Sequence, residues 1–160
     1  MSGLSHIDET GRARMVDVGG KDAKPRKALA QGRVELGATA FAALRENRVV
    51  KGDALAVAQV AGILAAKRTG DLIPLCHPLP LSHVGLEFEF IDDEYALRIL
   101  ASASCESATG VEMEALTAVS LAALTIYDML KALDKGIRIT DIELLEKSGG
   151  KSGHWKREES

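Results

Sequence analysis

The longest regular pattern of apolar positions in the chain lies between Thr109 and Lys135. Apolar side chains recur there at three- and four-residue steps, the spacing that places them on one helix face: Leu116, Val119, Ala123, Ile126, Leu130 and Leu133. Thr109 followed by Glu112 forms a capping box, which satisfies free backbone amides at a helix start. Gly136 stands where a left-handed residue would end the helix. The pattern therefore predicts one helix over residues 109–135.

A second face of this helix, and a second helix, are also apolar. At about 100° per residue, Asp128 lies nearly opposite the apolar stripe. Its neighbours on that face are Leu121, Leu124 and Lys131. The stretch 54–67 follows the favourable N-cap Asp53 and predicts a helix that is apolar almost all round. An exposed face does not normally carry such side chains, so we expect another part of the chain or another subunit to cover both helices.

The remaining patterns predict short strands and one short helix. Residues 84–91 and 97–105 alternate at period two on either side of an acidic turn, which is typical of a β-hairpin. Two further strands are predicted at 33–37 and 137–145, and a short helix at 39–47. The order indicates an α+β fold, a ferredoxin-like split β-α-β sandwich with an antiparallel sheet and helices on one face.

The 160 residues are expected to form one folded domain with a segment on each side. Residues 1–30 are polar and broken by glycines, which predicts an N-terminal arm that carries Arg26 and Lys27 near its end. A basic residue in such an arm is most often plain surface charge. Residues 31–146 are predicted to form the ferredoxin-like domain with the candidate catalytic residues, and residues 147–160 a glycine- and lysine-rich C-terminal tail.

Composition argues against several classes of protein. The formal net charge of −3 disfavours a general nucleic-acid surface. The N-terminal residues 1–18 contain no apolar stretch of signal-peptide length. No segment of the chain has about 18 uninterrupted apolar residues, so no membrane span is expected. The two cysteines, Cys76 and Cys105, fit free thiols in a reducing cytoplasm. Aromatic residues make up only 4% of the chain, so alanine and leucine are expected to pack the core.

The segment 71–80 differs from its surroundings, because three prolines within seven residues exclude a helix and an interior strand. It predicts a fixed loop that presents Cys76 and His77 side by side. A metal site there lacks ligands, since His83 is the only further candidate nearby. A Cys–His nucleophile is disfavoured because adjacent residues on an extended loop point apart. A plain packed loop stays open, and we favour a rigid loop that offers His77 and backbone groups to a polar ligand.

Cationic side chains gather at element ends and in glycine- or proline-rich loops, although the chain is acidic overall. They are Lys51, Lys67, His77, Lys131, Lys147 and Lys151, and the carboxylates set against them are Glu112, Glu114 and Asp128. Lys67 complements a helix dipole at a C-terminus, whereas Lys51 precedes an N-terminus, where a cation is unfavourable. Such a mixture of charges suits a phosphorylated heterocycle as ligand. The cations would bind its phosphates, a carboxylate would accept hydrogen bonds from the N–H groups of a guanine-type edge, and an adjacent Asp–Lys pair would transfer protons.

The tail segment 147–153, KSGGKSG, is not a P-loop. Leu145 stands where the first Walker glycine belongs, and no helix follows the segment. Two interpretations stay open for it. It is a disordered polar tail, or it is a loop whose backbone amides and two lysines close over phosphates.

Several long motifs of the chain resemble one family. They are LIPLCHPL at 72–79, TGVEMEALTAVS at 109–120, LTIYDM at 124–129 and KSGGKSG at 147–153, with MVDV at 15–18, VKGD at 50–53 and AGILAAK at 61–67 in agreement. They resemble the cyclic pyranopterin monophosphate synthase family, the accessory protein C family of molybdenum cofactor biosynthesis. The resemblance runs from His6 to Gly153. HWK at 154–156 lies outside it and carries no inference.

The resemblance implies a lyase reaction, in which 3′,8-cyclo-7,8-dihydro-GTP rearranges to cyclic pyranopterin monophosphate and releases diphosphate. It implies Asp128 as the proton-transfer residue, with Lys131 and Lys51 as its acid–base partners. The residues implied to line the substrate are Leu75, Cys76, His77, Met113 and Glu114, and those implied to complete the pocket are Arg26, Lys67, Glu112, Lys147 and Lys151. No metal or organic cofactor is implied for the chemistry, although magnesium can accompany the triphosphate.

The resemblance also implies an assembly, a homohexamer built from three dimers with the active site at a dimer interface. Two rival classes stay open beside the enzyme. A non-catalytic nucleotide- or pterin-binding ferredoxin-like module explains the fold and a pocket, but not an Asp–Lys pair opposite a packing stripe. A structural oligomer explains only the alanine-rich helix faces. Glu112 likewise keeps a structural alternative, as the capping-box partner of Thr109.

Overall fold

The computed structural model describes residues 7–158 with the exception of residue 9. Residues 1–6 and 9 of the predicted arm, and residues 159–160 of the predicted tail, lie outside the described residues. In chain order the elements are β1 Lys24–Glu35, α1 Gly37–Arg45, α2 Ala54–Lys67, α3 Thr69–Leu72, β2 Leu81–Ile91, β3 Ala96–Ser107, α4 Glu112–Leu130, β4 Arg138–Ser148 and β5 Trp155–Lys156. A single 3-10 turn, Asp92–Glu94, connects β2 to β3.

The five strands form one sheet in the order β2-β3-β1-β4-β5, and every neighbouring pair is antiparallel. The first and last long strands lie side by side, and the β2–β3 hairpin pairs with β1. This arrangement confirms the predicted α+β class and the ferredoxin-like split β-α-β topology. The predicted β2–β3 hairpin is confirmed with it.

Helices α2 and α4 pack against each other and against the sheet, and the closest approaches occur at two glycines. A Cβ at Gly32 of β1 would overlap the Val119 side chain of α4. A Cβ at Gly62 of α2 would lie 2.9 Å from the Ala118 carbonyl oxygen of α4. The buried core is rich in alanine, as the composition predicts, because small side chains allow the backbones to approach this closely.

Helix α4 is shorter than the predicted helix 109–135 at both ends. The capping box is wrong: Val111 precedes the helix without a side-chain cap, and the Glu112 carboxylate lies 2.7 Å from Lys147 Nζ instead. A long-range ionic partner has replaced the local one. The predicted left-handed end at Gly136 is also wrong, because α4 ends at Leu130 and the positive-φ glycines do not include Gly136.

Helix α4 is the one described helix that is long and apolar enough to cross a membrane, yet 56% of that stretch is buried inside the fold. Its buried residues include Val119, Ile126 and Leu130, which are among the stripe predicted from the sequence. A core helix of a folded domain meets the same criteria of length and composition. Packing against α2 and the sheet therefore accounts for the apolar character of α4.

Helix α2 begins as predicted, since Asp53 Oδ1 accepts a hydrogen bond from the Ala56 amide at 3.0 Å. One face of α2 remains open. Its exposed apolar side chains are Val57, Val60 and Leu64, and Leu124 of α4 is exposed as well. Within the described part of the chain, no segment covers these residues. The expectation that another subunit covers these residues stays a prediction.

Strand β1 begins at Lys24, nine residues before the predicted strand start at Arg33. Its first four residues, KPRK, carry no apolar alternation, so the period-two signal that marks a strand is absent there. Strand β4 likewise runs on to Ser148, and β5 was not predicted. The division into an arm, a domain and a tail stays a prediction, although β1 and β4 each extend across one of its boundaries.

Candidate functional site

The C-terminal end of α4 brings together the three residues expected to carry the proton transfers. Asp128 Oδ1 lies 2.7 Å from Lys131 Nζ, as the three-residue spacing predicts, and Asp128 Oδ2 lies 2.9 Å from Lys51 Nζ. Lys51 Nζ also donates to the Asp128 carbonyl oxygen at 2.9 Å. Lys51 precedes α2, so its ammonium group neutralises the C-terminal end of α4 rather than its own helix.

These contacts change the protonation of the cluster. Hydrogen bonds from Lys131 and Lys51, with the charge of both ammonium groups, lower the pKa of Asp128 to about 2. The same hydrogen bond and the Asp128 charge raise the pKa of Lys131. At neutral pH the cluster therefore holds an aspartate and protonated Lys131. The ion pair makes the aspartate a weaker base and Lys131 a weaker acid, so both groups become more reactive when a bound substrate separates them.

A cavity of about 240 Å³ lies at the opposite end of α4, where the 71–80 loop meets the helix start. Its lining contains six residues expected to contact the substrate: Leu75, Cys76, His77, Glu112, Met113 and Glu114. The other lining residues are Val16, Val18, Lys21, Leu79, Thr109 and Gly110. The structure thus gathers one whole group of predicted site residues around a single cavity, with carboxylates and a lysine among apolar side chains.

Glu114 is the buried carboxyl of this cavity, with only 3% of its surface exposed. Burial raises its pKa, and the negative charge of Glu112 raises it further. Such a carboxyl gains most from a ligand that offers N–H donors, because they replace the water it has lost. This is the chemistry expected of a group that accepts from a purine- or pterin-type edge.

Cys76 is half-buried in the same cavity, and its pKa is raised by burial and by the nearby charge of Glu114. A raised pKa keeps the thiol protonated, which argues against Cys76 as a nucleophile. His77 lines this cavity, whereas His83 lines a different one. No group of three or more His, Cys, Asp or Glu side chains suited to a metal ion occurs among the residues described.

A second cavity, of about 300 Å³, adjoins the first and is lined mainly by cations. Its lining is Gly20, Lys21, Asp22, Lys24, Arg26, Ala108, Gly150 and Lys151. Lys21 lines both cavities, which makes them two parts of one surface. Four basic side chains against one acid, with backbone amides of a glycine-rich loop beside them, suit a chain of phosphate groups.

Arg26 and Lys147 connect the strands to the start of α4. Arg26 Nε and Nη2 donate to the carbonyl oxygens of Ser107 and Ala108, each at 3.0 Å. Lys147 Nζ lies 2.7 Å from Glu112 Oε1, and about a quarter of each side chain is exposed. Both basic residues therefore have structural contacts in the free protein. Arg26 lines the basic cavity, whereas Lys147 lines neither cavity and reaches the first one only through its contact with Glu112.

Lys67 lies at the C-terminal end of α2 and is exposed, and it lines neither cavity. Gly62 of α2 packs against Ala118, while Lys51 just before α2 reaches Asp128. The two helices therefore run antiparallel. Lys67 comes to the end of α4 that holds the cavities, as the site prediction requires, although without direct contact to the other predicted residues.

The two groups of predicted site residues lie at opposite ends of α4. Asp128 follows Glu112 by sixteen positions, so a rise of about 1.5 Å per residue separates them by about 24 Å along α4. A proton donor must lie within hydrogen-bond reach of the reacting atom. We call the two groups the Asp128 half-site, at one end of the helix, and the Glu114 half-site, at the other.

Two further cavities contrast with these half-sites. One, of about 410 Å³, lies over the sheet between Lys27, His83 and Ser102, and the predicted site residue Lys147 lines this cavity. The other is the shallow apolar face of α2 around Val60. Both are more voluminous than the Glu114 cavity, but neither is lined by a buried carboxyl group. Convergence of charged groups, rather than volume, places the candidate site at the start of α4.

Sequence reasoning missed Val16, Val18, Lys21 and Lys24, which line the two cavities. All four belong to the segment predicted as an arm. A signal was present: the MVDV motif at 15–18 is followed at once by the Gly19–Gly20 turn and Lys21. Two alternating apolar residues followed by a glycine turn indicate local structure, which a segment that carries only surface charge does not need.

Comparisons with known proteins give consistent results. The model of the MoaC family matches residues 15–150. A cyclic pyranopterin monophosphate synthase of Thermomicrobium roseum is 56% identical over 159 residues, which is 99% of this chain and 96% of that protein. Proteins of the same name from Streptomyces avermitilis and Novosphingobium aromaticivorans are 59% and 56% identical, over 96% and 99% of this chain and 89% and 100% of theirs.

Proposed function

Because the chain belongs to the MoaC family, we propose that it is a cyclic pyranopterin monophosphate synthase. In this reaction 3′,8-cyclo-7,8-dihydro-GTP becomes cyclic pyranopterin monophosphate and diphosphate leaves, a lyase step in molybdenum cofactor biosynthesis. The observation that carries the proposal is the position of Asp128 between Lys51 and Lys131. A non-catalytic nucleotide- or pterin-binding module has no use for an ionised aspartate held by two lysines on a half-exposed helix end.

The Glu114 half-site is proposed to hold the substrate. Glu114 accepts hydrogen bonds from the N–H groups of the heterocycle, while His77 and Met113 contact its ring. The triphosphate lies in the adjacent basic cavity, where Lys21, Arg26 and Lys151 bind its oxygens. Lys147 and Lys67 add positive charge at the edge of this surface.

The Asp128 half-site is proposed to move the protons. A lysine ammonium donates to a ring atom as the purine-derived ring opens, and Asp128 then takes up a proton once its lysine partner has changed position. Formation of the cyclic phosphate requires a ribose-derived hydroxyl oxygen to bond to the α-phosphorus. The bond from that phosphorus to diphosphate breaks, diphosphate keeps the electron pair, and the hydroxyl proton passes to a base.

Acid–base chemistry and charge neutralisation supply all of these steps in our proposal. The rearrangement involves no net oxidation, so no redox cofactor is required. Cations at the triphosphate stabilise the leaving diphosphate, which is the main electrostatic demand of phosphoryl transfer. We propose magnesium only as a companion of the triphosphate, not as the group that carries the reaction.

We further propose that the two half-sites meet across an interface between two copies of the chain, within a homohexamer of three dimers. Two features support this assembly. The half-sites are about 24 Å apart in one chain, and the exposed apolar face of α2 and Leu124 is suited to burial by another subunit. The proposed location is the cytoplasm, which agrees with two free cysteines.

Incubation of the purified protein with 3′,8-cyclo-7,8-dihydro-GTP tests the proposal. We expect diphosphate release in step with the appearance of cyclic pyranopterin monophosphate, at a rate that saturates with substrate. Binding of the substrate without release of diphosphate would instead support the pterin- or nucleotide-binding module.

A further inference from the structure

The end of the described chain is fixed to strand β4. In strand β5, Trp155 pairs with Lys147 and Lys156 with Glu146. The next amide, that of Arg157, donates to the Leu145 carbonyl oxygen at 2.8 Å. Residues 155–156, which lie outside the family resemblance and within the predicted tail, therefore form an added strand at the sheet edge.

Side chains strengthen this attachment along its whole length. His154 Nε2 lies 2.6 Å from Glu146 Oε1. Arg157 Nε donates to the Leu144 carbonyl oxygen at 2.9 Å and lies 3.3 Å from Glu143 Oε2, while its guanidinium group lies over the Trp155 ring at 5.8 Å from the centroid. We call residues 154–157 the C-terminal clasp.

The clasp closes the glycine-rich segment 149–153 into a hairpin loop. At its start, Gly149 and Gly150 have φ of 101° and 75°, a region open to glycine, and a Cβ on either would overlap Pro25 or Arg26. At its end, the Gly153 amide lies 3.3 Å from the Gly150 carbonyl oxygen. Lys151 therefore lies at the tip of a loop held against β1 on one side and against β4 on the other.

Two successive residues of β4 connect the clasp to the site. Glu146 contacts His154 of the clasp, whereas Lys147 contacts Glu112 at the start of α4. Strand β5 pairs along one edge of β4, with Trp155 opposite Lys147, while β1 pairs along the other edge, with Ala28 opposite Lys147. Loss of the clasp would therefore leave Lys147 paired with β1 but release the loop that carries Lys151.

We propose that the C-terminal clasp is a positioning device for phosphate binding, which holds Lys151 at the basic cavity before the substrate arrives. The proposal rests on the proposed function, in which this lysine binds the triphosphate. A loop that is already ordered loses less conformational entropy on binding than a free tail does. The clasp residues themselves do not touch the substrate, so they act through Lys151.

Three altered chains test the clasp: one that stops after Gly153, Arg157→Ala and Arg157→Lys. The matched control is Lys156→Ala, which removes the same charge from an exposed side chain of β5. We measure KM and kcat with the cyclised substrate, and the Kd of inorganic triphosphate by calorimetry. We expect the chain that stops after Gly153 and the Arg157→Ala chain to show a KM and a triphosphate Kd about tenfold higher than the wild type, with kcat within about threefold of it. Arg157→Lys should recover part of this loss, because it keeps the positive charge beside Glu143.

A double variant separates positioning from general destabilisation. If the clasp acts through Lys151, the shortened chain with Lys151→Ala binds triphosphate about as weakly as either change alone, because residues that act as one unit are non-additive. Fully additive losses, or a shortened chain that binds triphosphate as the wild type does, would overturn the clasp proposal. A wild-type protein that neither binds triphosphate nor turns over the substrate would overturn the proposed function itself, and the clasp proposal with it.

Discussion

Asp128 Oδ2 and Lys51 Nζ lie 2.9 Å apart, although 77 positions separate the two residues in the chain. The contact joins the end of α4 to the loop before α2, and Lys131, the residue directly after α4, also contacts Asp128. All three side chains are about half exposed. Exposed ion pairs contribute little to stability, so a purely structural role accounts poorly for this convergence.

Asp128→Asn tests the chemical role of this cluster. Asparagine keeps the size and hydrogen bonding of aspartate but cannot take up a proton at neutral pH. We expect kcat to fall on the order of 10²–10⁴-fold, with the Kd of triphosphate close to the wild type and the melting temperature only slightly lower at pH 7, as for loss of an exposed ion pair. Asp93→Asn, at an exposed aspartate in the turn before β3, is the matched control and should leave kcat unchanged. Near-normal turnover by folded Asp128→Asn would remove Asp128 from the mechanism.

The same cluster predicts a stability difference at acid pH. The pKa of Asp128 in the folded chain is about 2, below its ordinary value of 3.8. A lowered carboxyl pKa stabilises the fold above the ordinary value, and this contribution is lost as the pH falls toward the folded-state pKa. The melting-temperature difference between wild type and Asp128→Asn should therefore be constant above about pH 5 and shrink between pH 4 and 2. A difference that stays constant down to pH 2 would contradict the ion-pair geometry.

Glu114→Gln should separate binding from stability. Burial raises the pKa of Glu114 in the folded chain above its ordinary value of 4.5. The fold therefore loses stability as the pH rises from 4.5 through this higher folded-state pKa, where the buried carboxyl group ionises. The glutamine variant carries no such charge. We expect its melting temperature at pH 7 to be equal to or above that of the wild type, and its KM to rise at least about tenfold. A lower melting temperature at pH 7 together with an unchanged KM would show that Glu114 stabilises the fold instead.

The exposed face of α2 predicts the state of assembly. Val60 and Leu64 are more than half exposed and lie on one face of the helix. The wild type should elute as an oligomer, and a pair of changes, Val60→Asp and Leu64→Lys, should shift it toward the 17.0 kDa monomer while the circular dichroism spectrum is retained. Gln59→Lys, at an exposed polar position of α2, is the control. If light scattering shows that the wild type is a stable monomer at micromolar concentration, the proposed oligomer is wrong.

The fold could be predicted from the sequence where residues close together in the chain determine the local structure. The N-cap Asp53 and the β2–β3 hairpin depend on neighbours in sequence, and both occur as expected. The prediction of a capping box was wrong because Glu112 forms an ion pair with Lys147, 35 positions away. The predicted start of β1 was wrong because the polar residues 24–27 join the strand through pairing with β3, which no local sequence pattern reveals.

The sequence indicated most residues of the candidate site but not how they are arranged, and their roles stay predictions. The spacing of Asp128 and Lys131 places them in contact on any helix, whereas the partnership with Lys51 came only from family resemblance. Lys21 was missed because a lysine in a polar segment has no distinguishing pattern of its own. The separation of the two half-sites depends on where Glu112 and Asp128 fall along one straight helix, and it became evident once the cavities could be located.

We propose that each active site combines the Asp128 half-site of one chain with the Glu114 half-site of another. Asp128→Asn and Glu114→Gln each damage one half-site, so equal amounts of the two variants, expressed together in one cell, form mixed dimers. In such a dimer one site combines both intact halves and the other combines both damaged halves, as two-fold symmetry requires.

The decisive measurement is diphosphate release from the cyclised substrate by this mixed preparation. Random pairing makes half of the dimers mixed, so we expect about one quarter of wild-type activity per site, far above either variant alone. Activity no higher than the average of the two separate variants, in a preparation that mass spectrometry shows to contain mixed oligomers, would contradict the shared site.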